Sequence, residues 1–478
     1  IPRFRFAGDE VTAKATIFAP KHRTGFAGLL SVTNNSTRPV TVKAGWRGCW
    51  NCTYHIANLS KLMAGTKHGS LTDSGTGVPV IEFRGHTPLF AVAFAPGYEA
   101  DPRMWGDDGS CNSDEWASEP VSARPGMPIE FEIVRDRVME PSETVELPMY
   151  VGVGLEEVSA VASARHLSLH GWDRLLAGLR TWLNKHTIDI GDEQLKHLMN
   201  VNSFYNYFYA TGTALDSESL VVVSARSSRS DCCASYRDRD AMRWSMPAVL
   251  QISPSRARDM LIYAFTTQLG NVGAHSRFID GLLLEPGFQL DHLVAPLRAL
   301  HLYVQNTDDM SVLFDRRVQT GINTIRRILG VQRHPEVPLF ETLLLLSGEP
   351  SRLPYDCYSN VLVWRSLLDL GWLYDRIRDI DRSVEAVDLA GAVKTAIWEN
   401  FVVPGPFGEM FARSIDLHGE HEIGDRPSGS LQMLAFHQFC DYDDAIYRNT
   451  MQWIGSEHNR EEPLTGRRGR PAAEQNAV

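Results

Sequence analysis

Up to about residue 155 the hydrophobic positions recur with a period of two and are interrupted by turn-forming residues. Segments 29–33 and 40–42 flank the turn-rich 34–37, which predicts a hairpin. Segments 80–83, 90–94, 129–133 and 144–147 alternate in the same way. Several short alternating strands at this density predict an antiparallel β-sandwich over residues 1–155. The stretch 99–119, rich in Asp, Gly and Ser, reads as a loop.

After Gly154 the period becomes helical. A helical connecting stretch, 156–190, carries Leu176, Leu179 and Trp182. Asp192 is placed to cap a helix running through Met199 and Phe208. Ser253-Pro254 combines a capping Ser with Pro at the first helical position. Asp308 precedes a long helix bearing Val312, Val318, Ile322, Ile325 and Ile328. Further helices are predicted over 357–379 and 383–400, with another over 431–439. Strand signals are scarce across 191–456, and 457–478 reads as a polar, unstructured tail.

The chain has 478 residues, 43% hydrophobic and 22% charged, which is globular and sufficient for two domains. A net charge of −11 argues against nucleic acid or an anionic membrane as partner, since both need clustered Lys and Arg. No apolar run is long enough for a spanning helix. Seven Cys spread over this length do not make a disulfide scaffold. Cys49-Trp50-Asn51-Cys52 has redox or metal spacing but lacks a second pair and a βαβ context. Asn34, Asn35, Asn51 and Asn58 each head an N-x-Ser/Thr triplet, a weak pointer to secretion. The chain begins at Ile1 with no signal-like apolar region, which reads as a processed or trimmed start. Targeting stays open, with the cytoplasm slightly favoured over secretion. Nothing in the pattern sets an oligomeric state.

Candidate chemistry concentrates in three clusters. The first is Tyr236-Arg237-Asp238-Arg239-Asp240, ahead of a helix through Met242, Trp244 and Leu250. A capping role accounts for one Asp, but not for two interleaved with two Arg. Such a set suits bidentate binding of sugar hydroxyls. The second runs from Glu285 to His292 and leads into a helix with Leu293, Leu297 and Leu300. Pro286-Gly287 reads as a turn. Asp291 is either an N-cap or an acid set beside Gln289 and Phe288. The third, 416–430, holds four carboxylates with His418 and His421, and reads either as a polar surface loop or as part of a site. A metal set of His418, His421 and Glu422 is the least favoured alternative, because no HExxH helix frames it.

These clusters resemble the active-site loops of (α/α)6-barrel glycoside hydrolases. The Arg-Asp-Arg-Asp segment resembles their substrate-binding loop. Phe288-Gln289-Leu290-Asp291-His292-Leu293-Val294-Ala295-Pro296 resembles the aromatic-Glu-Leu-Asp-Ser-Leu-Cys-Tyr-Pro motif of the metal-independent exo-α-mannosidases, whose Asp is the general acid. Gly419-Glu420-His421-Glu422 resembles their His-Glu-Ser loop, which implies Glu420, or Glu422 with a different gap, as general base. His292, Ala295 and Gly419 stand where the motifs have Ser, Tyr and His. A β-sandwich before such a barrel also resembles bacterial glucoamylases and glucodextranases, so α-glucosides rival α-mannosides. About nine helices are predicted where a complete barrel has twelve, which leaves helices missed or part of the barrel absent from this chain.

The resemblance implies exo-acting hydrolysis with inversion, without metal or cofactor, on an oligosaccharide or other glycoside. Asp291 would protonate the leaving oxygen, with its pKa raised by burial near Phe288. Glu420 or Glu422 would activate water. Tyr236, Arg237, Asp238, Arg239, Asp240, Trp244, Gln289, His292 and His418 would bind the sugar. A phosphorylase, another sugar-active enzyme on this fold, or a carbohydrate-binding protein without catalysis are the alternatives.

Overall fold

A computed structural model describes residues 1–50, 65–71, 78–85, 88–107, 111–113, 121–123, 127–224, 235–424 and 431–459. The chain divides into two compact units, 1–200 with 213–219, and 201–212 with 220–478.

The first unit is built on antiparallel strands. The larger sheet has eight, in the order Arg3–Ala7, Val11–Phe18, Gly25–Asn34, Thr144–Gly154, Pro88–Pro96, Pro79–Gly85, Gly65–Leu71 and Val121–Ala123. The smaller has four: Val40–Trp50, Ile129–Met139, Asp101–Trp105 and Cys111–Ser113. Their inner faces bury Ile81, Val92, Phe94 and Met149 against Met104, Ile129 and Ile133. Gly28 leaves room for the Trp46 ring, which a Cβ would meet at 2.6 Å. The Trp46 indole then donates across the layers to Leu147 O at 3.1 Å.

The hairpin predicted about residues 34–37 does not form, because its two strands enter different sheets. Asn34 is fully buried and redirects the chain. Its amide donates to Arg38 O and Met139 O, and its Oδ1 accepts from Ser36. That burial also removes Asn34 as a glycan acceptor; Asn51, Cys52 and Asn58 lie outside the described residues. The loop expected over 99–119 contains two strands of the smaller sheet. The alternation of Pro102 and Met104 inward explains the first.

Ten α-helices are described: α1 (Glu157–His170), α2 (Trp172–His186), α3 (Glu193–Tyr205), α4 (Met246–Ile252), α5 (Pro254–Ala264), α6 (Leu290–Thr307), α7 (Arg316–Gln332), α8 (Cys357–Arg376), α9 (Ile380–Phe401) and α10 (Ala445–Ile454). The stretch read as a connector forms α1 and α2, whose Ala160, Ala164, Leu167, Leu176 and Leu179 join the core of the first unit. Asp192 accepts from Gln194 and Leu195 N–H, and Ser253 from Arg256 N–H, so both act as predicted caps. Asp308 instead ends α6 with φ 55°, and Asp315 caps α7. Residues 431–439 form only a 3-10 turn, Leu431–Met433, and the next α-helix, α10, starts at Ala445.

The second unit thus follows the strand-rich unit with mainly helical structure, and a twelve-helix barrel is not present among the described residues. Its core joins α6 to α8 and α8 to α9 through buried Leu293, Leu297, Leu300, Val361, Leu373 and Ile397. Against the expectation of scarce strands, short sheets line its loops. One pairs Tyr355–Asp356 with Ser414–Ile415 and that strand with His421–Glu422. No helix among the described residues is long and apolar enough to cross a membrane.

Candidate active site

Asp291 is the second residue of α6, and Gln289, not Asp291, holds the N-cap position. The Asp291 carboxylate is 1% exposed and accepts from Arg239 Nη1 at 3.0 Å. Burial pushes its pKa up, but the guanidiniums of Arg239 and Arg243 outweigh burial and hold it below the usual aspartate range. His292 is itself driven by burial down to about 3, so it is neutral at working pH. The two arginines therefore fix the charge of Asp291. The expected upward shift of Asp291 is corrected on this point: burial is present, and a guanidinium in contact overrides it.

The first cluster splits into an inner and an outer half. Asp238 is fully buried, ion-paired to the equally buried Arg277, and accepts from Gly273 N–H at 3.2 Å. Burial raises its pKa against the pull of Arg277. Tyr236 is also fully buried, with the Arg277 guanidinium 4.8 Å from its ring centre. Both hold the segment in place, in contrast to the sugar contacts expected of them. Arg239 faces Asp291, and its Nε lies 3.8 Å from Asp240. Trp244 is 59% exposed, on a π-type turn rather than a regular helix.

Gln289 and His292 are interior as well. The Gln289 amide is taken up by His275 Nδ1 (2.7 Å) and Leu345 O (2.6 Å), and His292 Nδ1 donates to Ala274 O at 3.2 Å. Glu285 gathers Arg237 (3.3 Å) and the Ser276 hydroxyl (2.6 Å). Its pKa, pushed up by burial, ends below the usual range because Ser276, His275 and Arg237 prevail. Pro286-Gly287 lies within the strand Leu283–Phe288, not in a turn. Gly287 has φ 115°, and a Cβ there would meet Leu344 Cδ1 at 2.4 Å.

In the third cluster Asp416 accepts from His418 and Glu420 N–H at 2.8 and 2.9 Å and shapes the loop. Glu420 is an exposed residue whose carboxylate meets Arg352 Nη1 at 2.6 Å. Glu422 is more enclosed, held by Arg352 Nε (2.6 Å), the Ser414 hydroxyl (2.8 Å) and Arg413 (3.6 Å). Burial pushes Glu422 up, yet Arg352, Ser414 and Arg413 bring it below the usual range. His418 is exposed. His421 and Glu422 are successive strand residues, so their side chains leave opposite faces. Among the described residues no group of three or more His, Cys, Asp or Glu is placed to hold a metal ion. The end of this cluster, 425–430, lies outside the described residues.

One acid escaped the sequence reading. Asp356 caps α8 through Ser359 N–H (2.8 Å) and is 2% exposed. Burial pushes its pKa up to about 6 against Ser359 and Arg413, and the nearby charge of Asp291 adds to the rise. Cross-strand register sets Asp356 opposite Ser414 and Ser414 opposite Glu422, so the three share one face. Locally Asp356 reads as a helix cap, and only the tertiary pairing reveals it as a neighbour of Asp291 and Glu422.

A family model for the metal-independent α-mannosidases of glycoside hydrolase family 125 matches residues 346–461. The structure of a metal-independent α-mannosidase from Streptococcus pneumoniae, in a non-productive complex with α-1,6-mannobiose, is similar over 59% of this chain and 77% of its own. Sequence identity is 17% and the TM-score 0.51. A bacterial glucoamylase complexed with acarbose is similar over 93% of this chain and 65% of its own, at 11% identity and TM-score 0.57. The chain has an (α/α)6 glycoside hydrolase-like fold. Comparison with curated protein sequences gives no match. The matched segment carries Arg352, Asp356, Ser414, Glu420 and Glu422, while Asp291 and the Arg-Asp-Arg-Asp cluster precede it.

Proposed function

We propose that the enzyme hydrolyses α-linked mannosides or glucosides from a chain end with inversion, using Asp291 as general acid and Glu422 as general base. One observation carries this reading. Buried Asp291 lies close enough to Asp356 for their charges to interact, and Asp356 shares a sheet face with Glu422. Asp356 thus links the two, and on this reading Asp291 and Glu422 border one region. Two strand spacings separate Asp356 from Glu422, roughly 9–10 Å between Cα atoms.

Glu422 is preferred to Glu420 for two reasons. It is anchored on a strand by three partners, and it is held ionised, as a base must be. Asp291 is ionised in the free enzyme. A neutral sugar that displaces Arg239 removes the strongest force holding it so, and burial then favours the protonated form. On this reading Trp244, Arg237, Asp240 and His418 offer a stacking face and hydroxyl partners. Helices α4 to α10 are read as part of an (α/α)6-type barrel around this region.

The test is a panel of α- and β-linked manno- and glucosides followed by proton NMR. Release of the terminal sugar as the β-anomer from an α-linked substrate is expected. Release as the α-anomer, turnover that depends on phosphate, or unchanged turnover in Asp291→Asn would overturn the proposal.

A further inference from the structure

Three arginines from separate elements converge on one small cavity in the second unit. Arg243 comes from the turn Arg239–Ser245, Arg298 from α6 and Arg365 from α8, with Val294, Leu362 and Ser366 completing the lining. Its volume is about 10 Å³, room for a single water-sized guest. Val294 and Arg298 follow Asp291 on the same stripe of α6, so the cavity begins one helical turn from that carboxylate.

The charges around it do not balance. Asp369, fully buried, is the only carboxylate paired with these arginines among the described residues. It accepts from Arg298 at 2.9 and 2.8 Å and from Arg365 at 3.2 Å. Arg243 donates to a neutral partner, the Tyr358 hydroxyl, at 2.8 Å. Three guanidiniums thus face Asp369, and Arg243 also reaches the charge of Asp291, which Arg239 already pairs, so positive charge stays in excess around the cavity. The two nearby histidines supply no negative charge. His301 lies 3.5 Å from Asp369, and burial lowers its pKa. His437 is brought down to about 3 by burial and by Arg243, Arg298 and Arg365.

The hydrogen-bond pattern leaves a donor on a neighbouring side chain outside the lining. Because Arg243 donates to the Tyr358 oxygen, the Tyr358 hydrogen is directed to His437 Nε2, 3.1 Å away. Neutral His437 then carries its proton on Nδ1, which is buried and lacks a partner among the described residues. A water molecule satisfies donors but leaves the charge surplus in place. An anion satisfies both.

We infer that the cavity between α6, α8 and the turn at 239–245 binds a small monovalent anion of halide size. Guanidinium N–H groups and the indifference of a sphere to direction suit chloride, whereas the volume is too small for phosphate. Binding is independent of which glycoside the enzyme cleaves, so its test needs no substrate.

The experiment soaks crystals of the whole chain in sodium bromide and collects data at the bromine edge. In parallel, melting is followed in sodium chloride and in sodium gluconate at equal ionic strength. A single anomalous peak in the three-arginine cavity is expected, with a melting temperature that rises and saturates with chloride but not with gluconate. In Arg365→Gln, which keeps the Arg298–Asp369 pair, the chloride midpoint should move at least tenfold higher. No bromide peak in the cavity, or equal responses to chloride and gluconate in the wild-type protein, would overturn the inference. The bromide measurement stands even if the variant does not fold.

Discussion

Replacing Asp356 by Asn isolates the electrostatic cost of one buried acid. Asn retains the side-chain oxygen that caps α8, and Asn and Asp are about equal as N-caps. What changes is the titration. Burial raises Asp356 from 3.8 to about 6 in the folded protein, while in the unfolded chain it stays near the ordinary value. The folded state therefore binds the proton more tightly, and stability is lost as pH rises from about 4 to about 6. Two pH units correspond to about 3 kcal/mol, an upper value for a wild-type carboxylate forced to ionise in the interior. Asp356→Asn removes that loss. Below about pH 4 the two proteins should melt together. At pH 8 the variant should melt higher by up to about 3 °C for a protein of this size. Differential scanning calorimetry at both pH values measures the difference. A variant that melts at or below wild type at pH 8 refutes the reasoning, since it would mean that the ionised carboxylate is stabilised where it lies.

Three further outcomes follow from the same geometry. Glu422→Gln should lower kcat by about 10²–10⁴, the range for a general base, whereas Glu420→Gln should stay within a few-fold; equal losses would reject the choice between them. Arg277→Met should destabilise by about 3–5 kcal/mol, seen as an earlier denaturation midpoint, because buried Asp238 loses its counter-charge. The pH profiles should separate. Asp291 must be protonated to act, so kcat/KM, which reports the free enzyme, should already fall as pH rises from the acid side, while kcat should hold to higher pH; coincident profiles would show that Arg239 is not displaced by substrate.

What the sequence made legible follows from the range of the interactions concerned. Alternation marked the strands at 129–133 and 144–147, and helical spacing marked α8 and α9, because period is a local property. The segment about Asn34 looked like a hairpin for the same reason. Nothing local distinguishes a strand that pairs with its neighbour from one that crosses to the opposite sheet. Three strands of two residues each, 355–356, 414–415 and 421–422, are too short to display any period. Their pairing arises from the packing around them, so the face that joins Asp356 to Glu422 had no signature in the chain.

Charge states obey the same limit, and more strictly. The sequence placed Asp291 beside Phe288 and Gln289, which argues for an apolar setting and a raised pKa. The residue that decides the matter, Arg239, stands 52 positions earlier. Asp238 and Asp240 look equivalent in the Arg-Asp-Arg-Asp run, yet Arg277, 39 positions from Asp238, draws that acid alone into the interior. A motif shows which groups are available for sugar chemistry. Which of them is held ionised, which is committed to an internal ion pair and which stays open depends on partners beyond any local window. In a site built from carboxylates, that assignment of partners determines which acid is able to give up a proton and which is able to take one.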